Sequence, residues 1–117
     1  MDIVENNQNK KIFGICDKDK YIILDGAMGT MLQKSGLKMG EVPELLNIND
    51  PELITSVHIQ YLNAGADIIY ANTFGANTKK LSSTPYTPKE IITAGINCAK
   101  NAVLRCKRGK IAVSIGP

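Results

Sequence analysis

The sequence predicts an α/β fold built of parallel βαβ units, and three observations lead there. Three short apolar runs, at 21–24, 67–71 and 111–115, have the length and β-branched content of buried strands. Amphipathic stretches separate them, each opening on a helix-start signal, Asp50-Pro51-Glu52 and Thr87-Pro88-Lys89-Glu90. Near-continuous apolar strands alternating with such helices are the pattern of a parallel sheet covered by helices.

Composition sets the bounds. The 117 residues are 44% hydrophobic and 21% charged, a globular balance sufficient for one domain. There is no run of eighteen apolar residues, so no membrane partner is expected. The polar start MDIVENNQNKK lacks a signal-peptide core, which makes the cytoplasm the expected location. The formal charge is only +3, and the basic clusters Lys79-Lys80 and 105–110 carry no interleaved aromatics. They read as solvated faces, with no nucleic-acid partner. Three cysteines in such a chain do not make a disulfide framework.

Taken in order, residues 1–20 are a polar lead-in, with a short amphipathic piece at 11–15 and a charged turn at 17–20. The domain proper is 21–117. Its first strand, 21–24, breaks at Asp25-Gly26, after which Ala27, Met28, Gly29 and Thr30 turn the pattern helical. Gly26 and Gly29 allow a ligand close to the backbone, because no Cβ stands in the way. Free N–H groups at the helix start suit a carboxylate, and Asp25 beside them suits an ammonium. One short loop could hold both charges of an amino acid; the plain structural reading is a tight turn with Asp25 as its cap. Residues 34–50 form a long glycine- and proline-punctuated loop, with one helical turn at 43–47.

Asp50 is the N-cap of the next helix, Pro51 its first residue and Gly65 its stop. Leu53, Ile54, Val57, His58, Tyr61 and Leu62 make its apolar stripe. Strand 67–71 follows and ends in Asn72-Thr73, then a short helix is expected at 78–82. Thr87 and Glu90 form a capping box for a helix to about 107, with Ile91, Ile92, Gly95, Cys98, Ala99, Ala102, Val103 and Cys106 inward. The third strand, 110–115, runs out at Gly116-Pro117. In parallel strands every carboxyl end lies on one edge, so Asp25, Asn72, Thr73 and residues 114–117 converge there, on the face where α/β folds bind ligands.

Other singular residues read as structural. His58 lies on the apolar stripe and is expected to be a packed, hydrogen-bonded histidine. Met28 and Met31 are expected to pack, and Asp67 opens its strand at the edge away from the site. Cys98 and Cys106, eight residues apart on one helix, lie about 12 Å apart along its axis. They cannot share an ion whose bonds to sulfur are about 2.3 Å. With Cys16 they are read as small core or surface residues.

Three stretches in this order, LDGAMGTMLQ at 24–33, ELLNINDPELITSVHIQYLNAGADIIYANTFGAN at 44–77 and AVSIGP at 112–117, resemble the homocysteine S-methyltransferase family. The likeness is strongest to the homocysteine-binding module of its cobalamin-dependent methionine synthases. The resemblance implies a (β/α)8 TIM barrel, of which 21–117 would be the first three strands. It implies a zinc-held homocysteine thiolate that takes a methyl group to give methionine, with cobalamin and methyltetrahydrofolate acting through other modules. It implies substrate-binding roles for Asp25, Gly26, Ala27, Met28, Asn72, Thr73, Ser114 and Gly116. The family's zinc-ligating cysteines belong to later strands, and the cysteines here do not match them.

A complete barrel takes about 250 residues. The isolated 117 residues are therefore expected to be inactive alone, to self-associate, and to need the remainder of the barrel or other enzyme modules as partners. Two other classes compete. One is a small phosphate- or nucleotide-binding module using 26–30, although neither G-x-G-x-x-G nor G-x-x-x-x-G-K-[ST] is present. The other is a non-catalytic interaction piece of a split barrel.

Overall fold

The computed structural model describes residues 21–116 and the backbone of two short strands before them, β1 (Lys11–Ile12) and β2 (Ile15–Cys16), which pair antiparallel. The remainder of the expected lead-in, the charged turn at 17–20 and Pro117 lie outside the described residues.

The first helix, α1 (Met28–Lys34), follows Asp25-Gly26-Ala27. A 3-10 turn (Pro43–Leu45) and the single-turn α2 (Leu46–Asn49) form a helical corner inside the 34–50 loop. Helix α3 (Pro51–Asn63) starts where its signals place it. The Asp50 carboxylate accepts the Leu53 N–H at 3.3 Å, Pro51 holds the first position, and Gly65 turns the chain out at φ 110°. Strand β3 (Ile68–Ala71) leads through turns into α4 (Pro88–Cys106), which Thr87 caps by accepting the Glu90 N–H. Lys107, left-handed at φ 56°, ends α4 before β4 (Lys110–Val113).

β3 and β4 pair in parallel, Ile68 opposite Lys110 through Ala71 opposite Val113. On the other side of β3 the chain at 22–24 makes one parallel bridge, Leu24 to Ile68. Four bonds secure it: the Asp25 N–H to Ile68 O at 3.0 Å, the Asp67 and Ile68 N–H groups to Ile23 O at 2.7 and 3.2 Å, and the Ile23 N–H to the Asp67 carboxylate at 3.0 Å. Asp67 also pairs with Arg108 at 3.2 Å, so its carboxylate ties both the first segment and Arg108 to the start of β3. The strand order therefore follows the sequence, with β3 central and all directions parallel.

Helices α3 and α4 cover one face of this sheet. Leu62, Ile69, Ala99 and Ala102 are sealed in one cluster between them, and Leu32, Ile54, Val57 and Cys98 make a second cluster under α1. Met28 and Met31 pack against the second, as expected. Each fully sealed leucine or isoleucine contributes roughly 1.5–3 kcal/mol relative to exposure. No helix among the described residues is long and apolar enough to cross a membrane.

Four expectations are corrected. The run 21–24 is not a buried strand: Tyr21, Ile23 and Leu24 are exposed, because β3 covers one edge of the run and no described strand pairs with the other. Residues 78–82 form successive turns instead of a short helix, closed by the Leu81 N–H to Asn77 O and the Ser82 N–H to Lys79 O. His58 is fully buried as expected, but neither ring nitrogen has a hydrogen-bond partner among the described residues. Burial alone lowers its pKa to about 4. The third strand is also shorter than 110–115, ending at Val113 with Ile115 exposed.

Candidate functional site

The parallel pairing brings the carboxyl ends of all three strand segments to one edge, where they surround a cavity of about 600 Å³. Asp25, Gly26, Ala27, Met28 and Gly29 line it from the first segment, Tyr70 and Ala71 from β3 with Asn72, Thr73 and Phe74 just past its end, Ser114 from just past β4, and Pro43 and Glu44 from the helical corner. Seven of the eight residues singled out in the sequence thus share one cavity. Gly116 does not line it. It packs on the Phe74 backbone so closely that a Cβ would collide with the Phe74 carbonyl oxygen.

Asp25 is not a helix cap. The N-cap of α1 is Ala27, which makes no side-chain cap bond, and the Asp25 carboxylate instead accepts the Tyr70 N–H at 3.1 Å. That bond holds the carboxylate against the end of β3. Partial burial raises its pKa above the ordinary aspartate value, and the bonds from the Tyr70 and Asp25 N–H groups oppose the rise. A half-desolvated carboxylate of this kind gains from an incoming cation.

Gly26 is required by packing. A Cβ there would lie 2.7 Å from the Tyr61 hydroxyl, which donates to Ala27 O and pins the loop to α3. At Gly29 a Cβ would meet nothing within 4 Å, so the absent side chain leaves open space along the cavity wall.

Asn72 and Thr73 line the cavity, yet their side chains are committed to the protein. The Asn72 carboxamide donates to Pro43 O at 3.1 Å and to Asn47 Oδ1 at 2.9 Å. Thr73 Oγ1 donates to Ser114 O at 2.7 Å and so ties the end of β3 to the end of β4. They shape the wall and present mainly backbone to the cavity.

Sequence reasoning passed over two residues here. Asn47, 2% exposed, donates to Asn72 O at 2.7 Å and Ile91 O at 3.1 Å, joining the helical corner to β3 and α4. Glu44, 7% exposed, faces Gly75 and the cavity. The dipeptide Pro43-Glu44 looks like any helix-turn start, and no local signal sets it apart.

Among the described residues lining the cavity there are two carboxylates and no lysine, arginine or histidine. That set suits a cationic group and disfavours phosphate. It also falls short of a zinc site, since no three His, Cys, Asp or Glu side chains group together among the described residues. Cys98 is buried with its Sγ on Asn47 O, and burial raises its pKa, the reverse of what a thiolate ligand needs. Cys106 Sγ lies on Asn63 Oδ1.

Comparison with known proteins bears on this cavity. The family model described as homocysteine S-methyltransferase matches residues 22–117. Methionine synthase of Mycobacterium leprae (strain TN) is 37% identical over 68 residues, covering 53% of this chain and 6% of that protein. Methionine synthase of Mycobacterium tuberculosis (strain ATCC 25618 / H37Rv) matches to the same extent. The chain thus spans only 6% of the length of these curated relatives. The metallated crystal structure of the homocysteine methyltransferase MmuM from Escherichia coli aligns with a TM-score of 0.72 at 25% identity, covering 85% of this chain and 39% of that one. Its oxidized form aligns with a TM-score of 0.68 at 28% identity.

Proposed function

The chain belongs to the homocysteine S-methyltransferase family, and from that premise we propose that it forms the first three strands of a (β/α)8 barrel and holds the amino-acid end of homocysteine. The observation that carries this reading is the single cavity at the carboxyl edge, where Asp25 sits beside an open backbone loop. Asp25 pairs with the substrate ammonium, and the backbone of Gly26, Ala27 and Met28 receives its carboxylate. The wall formed by Asn72, Thr73 and Ser114 sets the depth of the cavity. Gly116 acts indirectly, by allowing the β4 end to close on Phe74.

In this reading the assembled enzyme is a methyltransferase of the methionine synthase type, transferring a methyl group to the homocysteine thiol. The described residues do not fit zinc, so thiol activation is assigned to parts of the domain outside this chain, and cobalamin and methyltetrahydrofolate to other modules. The chain alone is then inactive, and the cytoplasm is its proposed location. A phosphate-binding reading is not favoured, because both charged groups in the cavity are anionic.

Asp25→Asn tests the proposal. In the assembled enzyme it should weaken homocysteine binding by roughly 1–3 kcal/mol, the cost of a lost charge-assisted hydrogen bond. Because burial raises the Asp25 pKa, wild-type affinity should fall on acidification from a pH above the ordinary aspartate range. The variant should lack that dependence. A KM and turnover unchanged by Asp25→Asn would refute the assignment.

A further inference from the structure

We propose that Glu44 is a second anionic anchor for the ligand's positively charged group, so that the cavity engages an ammonium with two carboxylates. The inference rests on the homocysteine reading above and deepens it. Glu44 is 93% buried, from its 7% exposure, yet no described residue hydrogen-bonds its carboxylate. The only side-chain atoms both sealed from space and unpartnered among the described residues are the two His58 nitrogens. The Glu44 oxygens therefore keep an opening, and the opening is the cavity that Glu44 lines.

The carboxylate is also held in place. The carbonyl of the preceding Pro43 accepts the Asn72 carboxamide at 3.1 Å, and Asn47, three residues on, is fixed to Asn72 and Ile91. From the other side, Gly75 presents a bare Cα. A Cβ there would approach the Glu44 carboxyl carbon to 2.9 Å and its Oε1 more closely still. Glycine at 75 is what makes room for the acid.

Burying a carboxylate without a partner is unfavourable, and the penalty is relieved when a cation arrives. Asp25 at least receives the Tyr70 N–H; Glu44 receives nothing from the described residues, and none of the residues lining the cavity is cationic. A neutral ligand would leave both charges unpaired, and an anionic group placed here would be repelled. The matching ligand group is an ammonium.

The test compares two ligands on the assembled enzyme, homocysteine and 4-sulfanylbutanoate, the same thiol acid without the amino group. Calorimetric affinities are measured for wild type, Glu44→Gln, Glu44→Asp and Gly75→Ala. The preference for homocysteine over its des-amino analogue should fall at least tenfold in Glu44→Gln and in Gly75→Ala, whose methyl displaces the carboxylate. Glu44→Asp, which keeps the charge, should retain much of it. A ratio is read within each variant, so general loss of folded protein does not mimic the result. If wild type binds homocysteine and Glu44→Gln keeps the wild-type ratio, this assignment alone is overturned. If wild type binds neither ligand, the functional reading falls and this assignment with it.

Discussion

Asn47 is the residue through which the helical corner, β3 and α4 are joined, and removing its carboxamide should cost about 2–4 kcal/mol. The figure follows from its bonds. Asn47→Ala deletes donations to Asn72 O at 2.7 Å and Ile91 O at 3.1 Å, and acceptance from the Asn72 carboxamide at 2.9 Å. Each is worth about 1 kcal/mol net, and a buried group left unpaired costs about 1–3 kcal/mol. Ile91 O lies in the first turn of α4, where the helix offers it a further partner, so its loss is the mildest. Asn72, 6% exposed, keeps only the bond from its carboxamide to Pro43 O at 3.1 Å among its described side-chain bonds. Collapse into the vacated space is limited by Gly95, which already approaches so closely that a Cβ would lie 2.7 Å from Asn47 Nδ2. Urea unfolding followed by far-UV circular dichroism measures the loss. Asn49→Ala is the control, since Asn49 is exposed and its one side-chain bond among the described residues, from the Tyr86 hydroxyl, is 3.5 Å long. A second effect should accompany the first. Because Asn47 fixes the segment carrying Glu44, ligand affinity should fall even at temperatures where the variant is folded. An Asn47→Ala variant no less stable than Asn49→Ala would refute the reasoning.

What the sequence disclosed was set by how local each cause is. Helices α3 and α4 were legible because their caps lie within three residues of the groups they satisfy, as Asp50 does with Leu53 and Thr87 with Glu90. The convergence of Asp25, Asn72, Thr73 and Ser114 was legible because parallel direction alone puts strand ends on one edge. The burial of 21–24 was not, since burial of an edge strand depends on what lies beyond it, and an apolar run reads alike with one neighbour or two. The roles of Asn72 and Thr73 depended on partners 25 and 41 positions away, Asn47 and Ser114. Glu44 was invisible for the same reason, because only the approach of Gly75 separates it from an ordinary first-turn acid. For His58 the stripe position was legible, whereas the lack of a partner is a property of the packed neighbours.

Two further outcomes follow from the exposed strands and from that histidine. With Ile23 52% and Val113 45% exposed on the outer segments of the sheet, the chain by itself should self-associate; a monomer in sedimentation at high concentration would refute this. The second concerns acid. His58 has a folded-state pKa of about 4 against 6.5 for the free side chain. Between these values the unfolded chain binds a proton that the folded chain does not, so protonation favours unfolding. The contribution is therefore fully present above pH 6.5 and is lost as pH falls toward 4, reaching about 3 kcal/mol at 1.36 kcal/mol per pH unit. Carboxylates also respond to acid, so the informative quantity is a difference between proteins. His58→Leu removes the titrating group and the two unpartnered nitrogens together, and replacing such a group by an apolar one of similar shape can be neutral or stabilising. Urea midpoints at pH 7 and pH 4.5 should therefore separate for wild type by more than for His58→Leu. Parallel losses in the two proteins would mean that His58 takes up its proton alike in the folded and unfolded chain over this range, and that its burial is not what lowers stability in acid.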